Sequence, residues 1–150
     1  MDLLRPVAYL FAVLYFFLTL AHFFLLQETF KWILCTSALL MASVSAVIGL
    51  KASKISSARH SLTILLLILI ASSNRLLHLW LSEAPEQTTN IFVTIIASGI
   101  VLSNRNHWTA SILFNWIGWF TVNFTLEIAL IQHFFFAMTM STLLSWYAHL

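Results

Sequence analysis

The sequence ASSNRLLHLWLSEAPEQTTN, residues 71–90, decides how the rest of the chain is read. It begins inside an apolar run and carries Arg75 and His78 three positions apart, one turn of a helix and on one face. It leaves that run through a short turn holding Glu83, Pro85 and Glu86, and enters the next apolar run through Gln87, Thr88, Thr89 and Asn90. If the flanking runs lie in a bilayer, Arg75 and His78 sit in hydrocarbon, where an ionisable side chain is costly and as a rule has a partner or a function.

Composition puts the flanking runs in a bilayer. Hydrophobic residues make up 61% of the 150 and charged residues 8%, against about 25% charged in an ordinary soluble domain. The mean hydropathy is +0.94. The apolar runs are continuous rather than alternating, and there are only 3 Gly and 2 Pro, which favours spanning helices over a barrel. The expected class is therefore an all-α membrane protein. A net charge of +2 is too small to imply nucleic acid, and the single cysteine, Cys35, excludes an internal disulfide. The first apolar run lacks a small-residue cleavage site, so it is expected to be a retained helix rather than a signal peptide.

A span needs about 20 apolar residues. Working outward from 71–90, the runs predict six helices at about 7–26, 32–50, 62–81, 87–103, 109–126 and 129–149. The fifth and sixth share one long apolar stretch, and their turn is placed at 124–129 because Glu127 is the only charge there. Ala38, Ala42 and Ala46 form a small-residue stripe suited to close helix contact. Arg5, Lys51, Lys54, Arg59 and Arg105 fall in connections on one side, and only Lys31 falls on the other. The positive-inside rule then predicts cytoplasmic N and C termini and a multi-pass protein of a bacterial inner membrane.

With that topology, depth follows from a rise of about 1.5 Å per residue. His22, Arg75, His78, Asn123, Glu127 and His133 come near one outer level, as does the start of the fourth helix with Gln87, Thr88, Thr89 and Asn90. Three readings of this polar layer stand side by side. Two of His22, His78 and His133 hold a transition metal or the iron of a haem b, since neutral imidazole is the commonest metal ligand and helix bundles hold cofactors between helices. In that reading Arg75 pairs with a haem propionate or with Glu127. Alternatively the layer is a small-ligand or quinone pocket. In the third reading these groups bond to one another and only fix helix packing. Thr88 and Asn90 also have a plain reading as N-capping residues. Trp116 and Trp119 flank Gly118 and could line a pocket, with lipid or helix packing the reading taken.

Catalytic signatures are missing: there is no H-E-x-x-H, Walker A loop or G-x-S-x-G. The chain is expected not to be an enzyme by itself. Residues 141–150 show no polar tail or cap and read as a helix that continues into the cytoplasm.

The run Glu83, Ala84, Pro85, Glu86, Gln87, Thr88, Thr89, Asn90, followed by an apolar helix ending Val101, Leu102, Ser103 and then Arg105 and Trp108, resembles the N-terminal membrane region of bacterial signalling proteins. In those proteins a multi-helix membrane domain precedes a GGDEF diguanylate cyclase, a PAS module or a histidine kinase. The resemblance covers about 40 residues and implies a sensory or anchoring role, dimerisation, and a C-terminal cytoplasmic output domain outside this chain. Rival expectations are a haem- or metal-bearing electron-transfer protein, and a small transporter or scaffold subunit.

Overall fold

The computed structural model describes the backbone of residues 3–26, 28–126 and 131–150, and the side chains of all of these except 28, 29, 126 and 131–133. Among the described residues every element is helical: α1 (Leu4–Leu25), α2 (Glu28–Lys51), α3 (His60–Ser82), α4 (Thr88–Val101), α5 (Arg105–Leu126) and α6 (Ile131–His149), with short 3-10 turns at Ala52–Lys54, Ser57–Arg59 and Pro85–Gln87. Three segments among the described residues are long and apolar enough to cross a membrane: Leu4–Leu25, Phe30–Lys54 and Ser57–Ser82. The 14 residues of α4 reach about 21 Å, short of a hydrocarbon core of about 30 Å.

Helix boundaries depart from the sequence reading where local polar chemistry intervenes. The polar turn expected at 27–31 is largely helix, since α2 starts at Glu28. Lys31 then lies within its first turns, with the ammonium 4.5 Å from the centre of the Phe23 ring, so the charge rests on an aromatic face. The loop expected at 104–109 is also mostly helix. Asn104 Oδ1 accepts from the backbone N–H groups of Asn106 at 2.9 Å and His107 at 3.2 Å, an N-terminal cap that lets α5 begin at once. The cap expected for α4 is absent: Gln87, the residue before it, makes no side-chain cap bond. Instead the chain enters α4 through the Pro85–Gln87 turn.

The chain divides into two compact units, Met1–Ile70 and Ala71–Leu150, and the division falls within α3. In the first unit α1 and α2 form an antiparallel hairpin. Its rungs are the Phe23–Trp32 edge contact at 5.9 Å, the Cys35 thiol donating to the Thr19 carbonyl at 3.6 Å, and Gly49 beneath the ring of Tyr9, where an added Cβ would stand 2.9 Å from Cε1. Leu4, Ala8, Tyr15, Leu34, Ala38 and Met41 are buried, and Ala42 and Ala46 of α2 share a groove with Ala12 and Phe16 of α1. The expected small-residue stripe is therefore partly consumed inside the hairpin.

In the second unit α5 runs antiparallel to α6: Trp108 Nε1 donates to Ser145 Oγ and Trp116 Nε1 to Thr142 Oγ1, each at 2.9 Å. Gly99 lets α4 close onto α6, because a Cβ there would collide with the Ser145 carbonyl. Gly118 of α5 likewise admits Leu76 of α3.

Candidate functional site

Many polar groups of the second unit are buried, beside apolar ones such as Ile91, Ile95, Ile112 and Met138. On α5, Ser111, Asn115, Trp119 and Asn123 recur every fourth residue and are all buried. Four-residue spacing keeps them on one face. Leu113, Phe114, Ile117, Phe120 and Phe124 of the same helix are exposed. On the other helices Thr88, Thr94, Ser98, Ser141 and Ser145 are buried, whereas Val93, Ile100, Phe136, Leu143 and Leu144 are exposed. So many exposed large apolar side chains mark a surface that meets lipid or another apolar partner.

At the end of this unit where α3 hands over to α4, the polar groups form two separate sets of bonds. In the first, Arg75 Nη1 donates to the Asn90 carbonyl at 2.9 Å, and the Thr94 hydroxyl donates to that same carbonyl at 2.9 Å. Asn90 Nδ2 in turn donates to Gln87 Oε1 at 2.9 Å. In the second, buried set, the Thr88 hydroxyl accepts from Trp119 Nε1 at 3.4 Å. Asn123 Nδ2 donates to the Trp119 carbonyl of its own helix at 2.8 Å. The structure thus joins Arg75, Asn90 and Gln87 in one set, and ties Thr88 to Trp119 in the other.

Arg75 is incompletely satisfied. Its Nε is buried and finds no hydrogen-bond partner, and no carboxylate meets its guanidinium among the described residues. A neutral carbonyl does not neutralise the charge, and among the described residues the guanidinium faces only neutral acceptors, chemistry that an anionic or carbonyl group can also meet.

The remaining candidates lie elsewhere. Thr89 is exposed, and His78 is half-buried on α3. His22 belongs to the first unit, where it is buried on α1 and hydrogen-bonded to the Leu34 backbone. The His133 side chain and all of Glu127 lie outside the described residues, and with them the expected Arg75–Glu127 pair. Among the described residues no three His, Cys, Asp or Glu side chains gather as a metal ion would require.

Three contributors escaped the sequence reading as site residues. Trp119 is fully buried and links α4 to α5 through its ring N–H, although it read as a packing residue. Ser111 and Asn115 were passed over because they interrupt an apolar run only singly. The signal was the spacing 111, 115, 119, 123, legible once the run is taken as a helix with its polar face inward.

Comparison with protein-family models, with curated proteins and with solved structures finds no match for this chain.

Proposed function

We propose that this chain is a membrane-embedded sensory or anchoring domain of a bacterial signalling protein, with six helices in the bilayer, both termini cytoplasmic, and a small-molecule site at Arg75. The large apolar side chains exposed on α4, α5 and α6 support placing these helices in lipid as well, although buried Ser, Thr and Asn dilute their apolar character. The opposite running directions of α5 and α6 fit successive crossings. The asymmetry of Arg5, Lys51, Lys54, Arg59 and Arg105 against Lys31 supports the orientation.

The observation that carries the sensory reading is the Arg75–Asn90 bond. It ties the end of α3 to the start of α4 through a charge that has no acidic counterpart among the described residues. A ligand bearing a carboxylate, phosphate or carbonyl group would compete with the Asn90 carbonyl for the guanidinium and would bind one arrangement of the two helices better than another. Differential affinity of that kind is what shifts a two-state equilibrium. Movement of α4 would pass to α6 through the Gly99–Ser145 contact, and α6 would carry it to a cytoplasmic output, in a homodimer.

The test joins the C-terminal end of the chain to a cytoplasmic diguanylate cyclase reporter. Arg75→Gln, which removes the guanidinium and leaves the Asn90 backbone carbonyl in place, is expected to change cyclase output several-fold at equal membrane abundance. Unchanged output from this variant would sink the sensory reading and leave an anchor.

A further inference from the structure

The buried face of α5 carries a second feature, separate from the Arg75 network and independent of any sensory role. Asn115 is fully buried, and its Nδ2 donates to the Ser111 carbonyl at 2.9 Å. A backbone carbonyl can only accept, so chemistry fixes the amide orientation and leaves Oδ1 turned away from its own helix. That oxygen has no hydrogen-bond partner among the described residues. One turn earlier the Ser111 hydroxyl, also fully buried, has none either.

Ser45, Ser72 and Ser111 are the three serines whose buried hydroxyls have no hydrogen-bond partner among the described residues, and of these only Ser111 stands one turn from an open amide oxygen. Thr19, Ser43, Thr94, Ser98, Ser141 and Thr142 each return their hydroxyl to a carbonyl three or four residues back. Such a bond is the ordinary way to satisfy a hydroxyl inside an apolar helix, and Ser111 does not make it. The arrangement recurs two turns on: Asn123 donates its Nδ2 to the Trp119 carbonyl at 2.8 Å, and its Oδ1 is likewise buried and open. Buried polar atoms are normally paired, and leaving one unpaired forfeits its hydration.

We propose that Ser111 and Asn115 form a buried binding site for a hydroxyl group, supplied by water or by a small alcohol. The two residues lie on one helical face, their backbones about 6 Å apart along the axis, and the Asn115 amide folds back toward Ser111, so that one hydroxyl-bearing molecule can reach both open atoms. Such a molecule donates to Asn115 Oδ1 and accepts from the Ser111 hydroxyl, which satisfies both. An anion does not fit, because it has no proton to give the amide oxygen. Asn123 Oδ1 offers a second, single-point position for the same chemistry.

The test is nuclear magnetic resonance on the full chain in lipid nanodiscs, with asparagine alone labelled with nitrogen-15. The Asn115 side-chain signal is assigned by its loss in Asn115→Gln. With water as occupant, this signal shows dipolar cross-relaxation to water, of the sign that excludes mere proton exchange, and adding ethanol or glycerol leaves it unaltered. With an alcohol as occupant, ethanol or glycerol shifts the Asn115 signal saturably, while the exposed Asn104 signal and a sodium formate control stay still. Ser111→Ala removes the hydroxyl without adding volume and is expected to halve either response or more. Absence of both responses at Asn115, or a response untouched by Ser111→Ala, would overturn the proposal.

Discussion

Glu83 has φ of 51°, in the left-handed region that costs an L-residue about 1–2 kcal/mol. Its backbone N–H bonds to the Leu79 carbonyl at 3.0 Å, so it ends α3 in the position glycine usually fills. Glu83→Gly is expected to raise stability by about 1 kcal/mol, read as a later thermal unfolding midpoint in detergent. Arg75 behaves differently. Among the described residues its guanidinium bonds only to a carbonyl and its Nε is unpaired, so those contacts contribute little to the fold for the cost of holding a charge there. Arg75→Leu is expected to change stability by less than about 1 kcal/mol while abolishing the regulated output of the reporter fusion. A large loss of stability would make Arg75 a structural residue. Both residues stood out in residues 71–90 as sequence, Arg75 as a charge in an apolar run and Glu83 as part of a turn. Their partners did not, because the carbonyl of Asn90 and the φ of Glu83 are backbone properties set by how α3 meets α4.

The elements are held by close approach and by inward polar bonds rather than by apolar burial alone. Gly99 is the tightest point, set against the Ser145 carbonyl. Backbone cannot swing aside as a side chain does, so Gly99→Leu is expected to separate α4 from α6 at a cost of about 1–3 kcal/mol. The measure is loss of a disulfide engineered between those two helices. The six helices were largely legible in the sequence, because each apolar run is long and few breakers divide them. Their ends were less so. The early starts of α2 and α5 depend on Lys31 lying over Phe23 and on Asn104 capping two N–H groups, and both residues read equally well as loop. The α4 entrance reversed its expected chemistry: Thr88, a candidate cap, is drawn inward by the ring N–H of Trp119.

For the molecule as a whole, the outward face of α5 offers a direct test of the bilayer reading. Ile117 is 65% exposed. In a soluble protein Ile117→Lys would be harmless or helpful, whereas at the bilayer centre a lysine costs about 2.5–3.5 kcal/mol. The expected outcome is loss of membrane-integrated protein in a fractionation assay, with normal insertion pointing to a helix outside hydrocarbon. Single cysteines in a Cys35→Ala background are expected to be labelled from the cytoplasm at residues 54 and 106 and from the outside at residue 86; the reverse pattern would refute the proposed orientation. Composition and run length alone determined that the chain is helical and that it contains helices apolar enough to cross a membrane, because hydrocarbon accepts few other sequences. They also marked Arg75, Gln87, Thr88, Asn90 and Asn123 as worth following. Only the tertiary structure decided that Arg75 meets the Asn90 carbonyl, that Thr88 meets Trp119, and that Ser111 and Asn115 are left with open atoms. Hydrophobicity acts along the chain and is legible residue by residue, whereas a hydrogen bond between helices depends on which faces packing turns toward each other.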